Sequence, residues 1–194
     1  MWLFLRDDPR LLTQTAWPNR TTVNGGYAIP GTPEVTIYRA EEYQRVLIHE
    51  VIHAMNWDIQ APTSPLPCWG LPAASRLYPH LFEAFTELYA EWLYCIFNDI
   101  LWEVQVHYAR QQALQILSRY DRSKPWEEDT NVFAYYVLKV ALTPYLPVFL
   151  LRRESDLTEM SGYLCSYAQK ELHILYEEAS RVYPEPMSLR MTVS

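Results

Sequence analysis

The chain has 194 residues, which suits one domain, and 49% of them are hydrophobic while 20% are charged. This balance excludes intrinsic disorder as the main state, because it leaves enough apolar side chains for a packed core. The formal net charge of −7 argues against a nucleic-acid-binding module, which normally carries a basic patch. We therefore expect a single domain spanning 1–194 with no nucleic-acid partner.

The apolar runs and the cysteines give expectations about the compartment. No apolar run reaches the roughly 20 residues that a membrane-spanning helix needs. The apolar opening Met1–Leu5 is interrupted at once by the charged residues 6–8, so it lacks the length of a signal peptide. Cys68, Cys95 and Cys165 are odd in number and widely spaced, which argues against a disulfide scaffold and favours a reducing compartment. We expect an intracellular, cytoplasmic protein without a membrane partner.

The N-terminal part of the chain, 1–39, shows signals for strands and loops. Trp2–Leu5 are predicted to form a first strand, and an irregular segment follows over 9–18. Asn24-Gly25-Gly26 is a turn or bulge signal, and the Pro- and Gly-rich segment 30–33 is a second break. Residues 34–39 alternate with a period of two, which is typical of a half-buried strand. We expect a small antiparallel or mixed sheet here.

The remainder of the chain, 40–194, is predicted to be mainly helical. A loop rich in proline over 58–79 separates the first predicted helix from the second. The predicted helices cover 40–57, 79–97, about 100–120, 125–142 and 156–183. The fold class that follows is α+β, a small N-terminal sheet followed by a helical body.

Polar residues mark the expected helix starts. Glu41 and Glu42 fall in the predicted first turn of the first helix, where carboxylates suit the positive end of the helix dipole. Asn98 or Asp99 is expected to cap the third helix, and Asp156 has the spacing of a capping box for the last one.

The segment His49-Glu50-Val51-Ile52-His53 carries the clearest chemical signal in the chain. Histidines at positions i and i+4 lie on one face of a helix, one turn apart, so both imidazoles can reach a single zinc ion. Glu50 is displaced by about 100° around the helix. It lies off the metal axis, where it can accept a proton from a water bound to the zinc.

The surroundings of this segment favour a metal site over a buried polar cluster. Residues 46–55 are apolar apart from His49, Glu50 and His53, so the helix is expected to be buried. Burying these three groups without partners costs several kcal/mol. A metal ion at a cleft compensates that cost directly, whereas the alternative needs a full set of hydrogen bonds.

A catalytic zinc site needs a third protein ligand and an open fourth position. The pattern of the metzincin class would need Gly at 56 and His or Asp at 59, but the chain has Asn56 and Ile59. Glu83 and Glu87 lie one turn apart on the next predicted helix. One of them can bind the metal while the other orients a ligand histidine through its free N–H.

Other third ligands, and a purely structural role for the glutamates, stay open at this point. Glu87, Glu91, His80 and Asp58 are alternative third ligands. The three glutamates also lie opposite an apolar stripe, so the alternative to a ligand role is an ordinary solvated helix face.

The combination of HExxH with a following helix that carries Glu83-Ala84-Phe85-Thr86-Glu87 resembles the gluzincin metallopeptidases, the thermolysin-like class. In that family the first Glu of an E-A-x-[ST]-D pattern binds zinc, and the acidic residue four positions later bonds to the first ligand histidine. The resemblance therefore implies Glu83 as third ligand and Glu87 as the partner of His49, with Glu in place of Asp. It covers 46–57 and 83–87, under a tenth of the chain.

The resemblance also implies a substrate edge and an oxyanion donor. Family substrates add as a strand along a sheet edge before the HExxH helix, which here corresponds to 34–39. A Tyr or His on a later helix stabilises the tetrahedral intermediate in that family. Tyr136 and Tyr135 are the first candidates for this donor, and His107 and His173 come behind them.

Two basic residues near these candidates are expected to face solvent. Lys139 lies one turn beyond Tyr136 and could face the same cleft, but a solvated lysine is the expected state. Arg190, in the C-terminal tail, is likewise expected to be exposed rather than docked near the site.

These residues predict a zinc-dependent metallopeptidase with a peptide or protein substrate, in which Glu50 activates a zinc-bound water. One alternative is a non-catalytic or latent zinc-binding interaction protein, with 1–20 or 184–194 covering the cleft. A second is a di-iron oxidoreductase, since Glu50-x-x-His53 is an element of such bundles. That class needs the element twice, and the pairs Glu103/His107 and Glu171/His173 have the wrong spacing.

Overall fold

The computed structural model describes residues 1–57, 69–72, 74–76, 81–151 and 157–193. It confirms the α+β class, with a small mixed sheet near the N-terminus and a mainly helical body after it. Most of the predicted loop 58–79 and the predicted cap Asp156 lie outside the described residues. The strands are β1 (Trp2–Arg6), β2 (Leu11–Leu12), β3 (Gly26–Ala28), β4 (Val35–Arg39) and β5 (Met187–Ser188). The helices are α1 (Arg20–Val23), α2 (Tyr43–Ala54), α3 (Leu81–Phe97), α4 (Trp102–Leu117), a π-helix (Phe133–Leu138), α5 (Lys139–Leu142), a 3-10 helix (Thr143–Tyr145), α6 (Leu146–Leu151) and α7 (Leu157–Ala179).

The three-stranded sheet has the order β1-β4-β3. β4 pairs with β1 in parallel and with β3 in antiparallel, with Tyr27 opposite Thr36. The expectation that 34–39 forms a sheet edge is therefore wrong, because both sides of β4 are already paired. Within the described residues, β1 and β3 are the outer strands of this sheet, and β3 keeps one edge free for a further strand.

Helix α2 covers one face of this sheet. Val35, Ile37 and Arg39 alternate as the buried positions of β4, and Val46 of α2 packs against the two apolar ones. A Cβ on Gly26 would lie 2.8 Å from Ile37 Cδ1 and 2.9 Å from Val46 Cγ1, so only glycine fits at that point of β3. This close contact brings the free edge of β3 next to α2.

The predicted helix starts at 40–42 and 98–99 are wrong in detail. α2 begins after Glu42, whose backbone is left-handed with φ of 59°, and its first turn holds no acidic residue. Glu41 and Glu42 make other contacts, described below. α4 begins after Leu101, because Asp99 also adopts a left-handed conformation (φ of 53°), in which the chain turns before the helix starts.

The predicted helix 125–142 begins later than expected and starts as a π-helix. Glu128 accepts a hydrogen bond from the Phe133 N–H at 2.8 Å and from the Trp126 indole at 3.0 Å. Its carboxylate thus satisfies a free N–H at the helix start instead of lying inside the helix. A π-helix is rare and often lies at a functional site.

The helical body surrounds the larger of two apolar cores. α3, α4, α5, α7 and the π-helix all contribute to it. Its fully buried members include Trp126, Tyr136, Leu88, Ile116 and Leu172. This core fixes α3 and the π-helix relative to each other, and both carry residues of the site described below.

The C-terminal segment is docked, which corrects the expectation for Arg190. β5 pairs with β2, and the Leu189 N–H donates to the Arg10 carbonyl at 2.6 Å. Met191 and Thr192 are 2% and 1% exposed, and Arg190 itself lies half-buried with Nε 3.8 Å from Glu41 Oε1. The last helix ends at Ala179 rather than near 183.

The cysteines differ from the expectation as well. Cys165 is disulfide-bonded, while Cys95 is free and buried. The cysteine argument for a reducing, intracellular compartment therefore does not hold. Among the helices that the structure describes, none is long and apolar enough to cross a membrane.

Candidate metal centre

Helix α2 presents two histidines to one point. His49 and His53 lie one turn apart, and their Nε2 atoms are 3.0 Å from each other. Both side chains are buried, and their rings meet edge-to-face with centroids 4.7 Å apart. The i, i+4 spacing thus produces the convergence that the sequence predicts.

The first turn of α3 adds a carboxylate to this pair. Glu83 Oε2 lies 3.4 Å from His49 Nε2 and 3.5 Å from His53 Nε2. Within the described residues, these three form the only group of three or more His, Cys, Asp or Glu side chains that could hold a metal ion. We call this group, His49, His53 and Glu83, the triad.

The spacing of the triad fits zinc. Bonds of about 2.0–2.2 Å at tetrahedral angles put neighbouring ligand atoms about 3.3–3.6 Å apart. Two of the separations in the triad, 3.4 and 3.5 Å from Glu83 Oε2 to the two imidazoles, lie in this range, and the 3.0 Å between the two Nε2 atoms is slightly shorter. Two imidazoles and one carboxylate are also a ligand set of catalytic zinc sites, which keep the fourth position open.

Glu87 lies behind the triad, in contact with His49. Its Oε2 is 2.9 Å from His49 Nδ1, so it can hold that imidazole with Nε2 directed at the ligand position. Arg45 in turn grips both Glu87 oxygens through Nη1, at 2.5 and 2.6 Å. The longer Glu side chain at position 87 therefore reaches the histidine while it stays anchored.

The pKa values of these groups are strongly shifted. Burial disfavours the charged form of His49, but the contacts with Glu83 and Glu87 outweigh burial and raise its pKa to about 10. Burial also opposes ionisation of Glu83, but the contacts with His49 and His53 outweigh it and lower its pKa. Negative and positive groups are thus held together where a divalent cation would replace the proton on the histidine.

Glu50 lies beside the triad without joining it. It is 8% exposed, and burial raises its pKa, an effect that the charges of His49 and His53 oppose. A carboxylate with a raised pKa is suited to accept and return a proton.

A cleft of about 520 Å³ opens over the triad. Residues 26–28 of β3 form one part of its wall, and Thr130 and Asn131, before the π-helix, form another. A hydrogen bond of 2.8 Å from Thr130 Oγ1 to Asn24 Oδ1 ties the two parts together. No residue of 187–193 lines this cleft, so the described C-terminal segment does not cover it.

The structure separates the two tyrosine candidates. Tyr135 lines the cleft, its hydroxyl donates to Glu83 Oε2 at 3.2 Å, and its ring lies 5.7 Å from that of His49. Tyr136 is fully buried and donates to the Leu189 carbonyl at 2.8 Å. Tyr136 therefore does not reach the site, because successive residues of a helix point in different directions.

The remaining candidates lie elsewhere. Glu91 is 1% exposed and contacts the Lys139 ammonium, so neither the solvated glutamate face nor the solvated lysine matches the structure. His107 and His173 are exposed on helix surfaces. His80 and Asp58, two alternative ligands, lie outside the described residues.

Sequence reasoning missed the cations behind the triad. Arg45 lies four residues before His49, so the helix period alone placed it on the same face of α2. That spacing was an available signal. Lys139 was expected in solvent, because its contact with Glu91, 48 residues away in the sequence, depends on how α3 packs against α5.

Comparison with known protein families, curated proteins and solved structures finds no match to this chain. The chemical interpretation of the site therefore rests on the geometry above.

Proposed function

We propose that the protein is a zinc-dependent metallopeptidase. The observation that carries this proposal is the triad, in which two imidazoles and one carboxylate, a ligand set of catalytic zinc sites, converge with their ligand atoms 3.0 to 3.5 Å apart. The cleft over the triad and the carboxylate of Glu50 beside it supply what hydrolysis needs in addition.

His49, His53 and Glu83 would hold the metal. When bound there, zinc supplies a Lewis acid that polarises a carbonyl and makes water a stronger acid. Glu50 accepts the proton of the attacking water and delivers it to the leaving amine. Its buried position supports this role, since a raised pKa lets the carboxyl hold the proton between the two transfers.

The free edge of β3 supports an extended peptide as substrate. In an antiparallel pair, alternate residues direct their N–H and C=O groups towards the partner strand. Since Tyr38 N–H bonds to Gly25 O and Ile29 N–H to Glu34 O, the main-chain groups of Gly26 and Ala28 point the other way. They line the cleft, where a peptide can add as a further strand.

Tyr135 is the residue that we assign to stabilising the oxyanion. Burial and the nearby Glu83 carboxylate raise the pKa of its hydroxyl, which therefore stays a hydrogen-bond donor at neutral pH. It can turn from Glu83 towards an oxygen that becomes negative in the cleft.

The deciding experiment combines metal analysis with peptide hydrolysis. We expect the purified protein to bind one zinc ion per chain and to cleave members of a broad peptide library. Glu50→Gln should keep the zinc and lose turnover, whereas Glu103→Gln, at an exposed position of α4, should leave both unchanged.

Each other outcome has a distinct meaning. Full peptidase activity of Glu50→Gln rules out the mechanism. Stoichiometric zinc without cleavage of any peptide supports the non-catalytic zinc-binding alternative. Two irons in place of zinc would support the oxidoreductase, for which the described residues offer no second ligand group.

A further inference from the structure

The C-terminal segment 189–193, which we call the tail, is held by side chains from distant parts of the chain. Gln105 binds the tail at two points, donating to the Met191 carbonyl at 2.6 Å and accepting from the Val193 N–H at 3.0 Å. Tyr108 donates to the Arg190 carbonyl at 3.1 Å. The tail is thus bound through its backbone, like a peptide in a groove.

Glu42 is the centre of this groove. Its Oε1 accepts from the Thr192 N–H at 2.7 Å and from the Thr192 hydroxyl at 2.6 Å, and its Oε2 accepts from the Met191 N–H at 2.9 Å. The side chain of Glu42 is fully buried, and Arg10 Nη1 provides a further donor at 3.3 Å. The tail therefore supplies most of the hydrogen bonds that this buried carboxylate needs.

The backbone of Glu42 is strained. Its φ of 59° is a left-handed conformation that residues with a side chain rarely adopt. Such a conformation persists only where surrounding contacts fix it. Here the contacts with the tail and Arg10 do so at the residue from which α2 begins.

A row of alternating buried charges leads from Glu42 to the triad. Arg45 Nε lies 3.9 Å from Glu42 Oε2, Arg45 Nη1 binds both oxygens of Glu87, and Glu87 Oε2 lies 2.9 Å from His49 Nδ1. A small cavity of about 40 Å³ is bordered by Met191, Arg45, Glu87 and His49 together. The tail, the charges and the candidate ligand are thus contiguous.

The geometry points to the tail as a positioning element for the metal centre, which acts through Glu42, Arg45 and Glu87 on His49. With the tail docked, the tail and Arg10 donate hydrogen bonds to Glu42, and Arg45 binds Glu87. Without the tail, Arg10 and Arg45 are the donors within reach of Glu42, so Arg45 is drawn away from Glu87. Glu87 then no longer fixes the His49 imidazole. This inference rests on the proposal above that the triad binds zinc.

Linkage gives a test on the unaltered protein. If docking of the tail raises the affinity for zinc, then zinc must strengthen docking of the tail by the same factor. We expect zinc to slow hydrogen exchange at the Met191 and Thr192 amides by about 3–10-fold more than at the core amides of Leu172 and Leu175 in α7. This factor is smaller than the roughly 10–100-fold loss of affinity that follows when a direct partner of a metal ligand is removed. Equal slowing at both places would mean that the tail is only part of the fold.

Variants test the same coupling from the other side. Thr192→Pro removes the N–H that donates to Glu42, and Glu42→Gln replaces the acceptor by a neutral amide. We expect both to weaken zinc binding, measured by competition with a chelator, by about 3–10-fold. Thr192→Ser keeps both donors and should bind zinc like the unaltered chain.

The control is Leu172→Ala, which opens a cavity in α7 away from the charges. It should lower the unfolding temperature and leave zinc affinity unchanged. If Thr192→Pro and Glu42→Gln behave like this control, the positioning role is wrong. Should either fail to fold, Thr192→Val, which removes only the hydroxyl donor, and the exchange measurement decide. A chain that binds no zinc at all would instead refute the proposed function.

Discussion

Glu83 at the cleft, and the buried Glu87 and Glu91 further along helix α3, show how the same residue type serves different purposes. Glu83, Glu87 and Glu91 follow one another at four-residue steps. Glu87 and Glu91 are sealed inside the protein at 1% exposure, and each meets a buried cation, Arg45 or Lys139. Glu83 borders the cleft, and its ion-pair contacts within the described residues are with histidines alone.

The difference separates a structural charge cluster from a candidate metal site. Buried carboxylates matched by Lys or Arg need nothing more, because the cluster already compensates its charges. A carboxylate that converges with two imidazoles on one point lacks a permanent positive charge, and a divalent cation supplies it. Four experiments can test this contrast.

The largest expected effect concerns the buried pair of Lys139 and Glu91. Lys139→Met leaves Glu91 buried without its cation, and we expect the free energy of unfolding to fall by about 3–5 kcal/mol. The double variant Lys139→Met/Glu91→Leu removes both charges and should recover most of that loss. Urea unfolding of both proteins measures the difference. A loss below about 1 kcal/mol in the single variant would show that Glu91 does not remain an uncompensated buried charge when Lys139 is removed.

The next effect lies at the cleft. Glu83→Gln removes one ligand of the triad, and we expect zinc affinity to fall at least about 100-fold. This is the upper end of the loss seen when only a hydrogen-bond partner of a ligand is removed. Zinc at 100 times its dissociation constant should stabilise the unaltered chain by about 2.7 kcal/mol. The same zinc concentration should stabilise Glu83→Gln far less.

The double variant at Lys139 and Glu91 is the matched control for that measurement. It removes two buried charges and no ligand of the triad. Lys139 Nζ lies 3.8 Å from Glu87 Oε1, so any effect on the triad passes through Glu87, and zinc affinity should fall by less than about 10-fold. If this double variant and Glu83→Gln lose zinc affinity equally, Glu83 is not functionally distinct from the buried charges of α3.

Tyr135 and Tyr136 provide an adjacent pair for a third test. Tyr135→Phe should lower kcat about 100-fold, the loss typical of one oxyanion donor. The assay uses saturating zinc, because the Tyr135 hydroxyl also donates to the proposed ligand Glu83 and its loss can weaken zinc binding. Tyr136→Phe loses a hydrogen bond to Leu189 and should cost about 0.5–1.5 kcal/mol of stability with kcat unchanged. Steady-state kinetics and thermal unfolding of both variants measure these values. Equal kcat values in the two variants would remove Tyr135 from the mechanism.

The local pattern of the sequence predicted the parts of the fold that depend on neighbouring residues. The strand alternation of 34–39 and the two histidines one turn apart on α2 both follow from the period of the backbone. The edge position was wrong because it depends on which strands pair. β1 comes from the far N-terminus, and its parallel pairing with β4 leaves no trace in 34–39.

The same distinction holds for the candidate site. The pairing of Glu83 with the histidines was predictable because both elements carry motifs. The choice between Tyr135 and Tyr136 was not, since a π-helix sets their directions and the docked tail takes the Tyr136 hydroxyl. The docking itself depends on Glu42, which the sequence placed in the first turn of a helix.

The smallest expected effect concerns Cys95, one further turn along α3 from Glu91. Burial, and then the charge of Glu91, raise the pKa of this thiol to about 11. Since the thiolate is the reactive form, a raised pKa means slower alkylation at a given pH. At pH 8 we expect Cys95 to react on the order of 100-fold more slowly than an exposed thiol with a pKa of about 8.5, and its rate should still rise with pH beyond 10.

Glu91→Gln then isolates the contribution of the charge at position 91. Removing the carboxylate lowers the pKa of Cys95, so the rate at pH 8 should rise, by about two- to five-fold if the shift is a few tenths of a unit. Alkylation followed by mass-spectrometric peptide mapping distinguishes Cys95 from the other cysteines. An unchanged rate would mean that Lys139 fully neutralises Glu91. A decrease would contradict the sign of the interaction, because a carboxylate can only oppose the formation of a neighbouring thiolate.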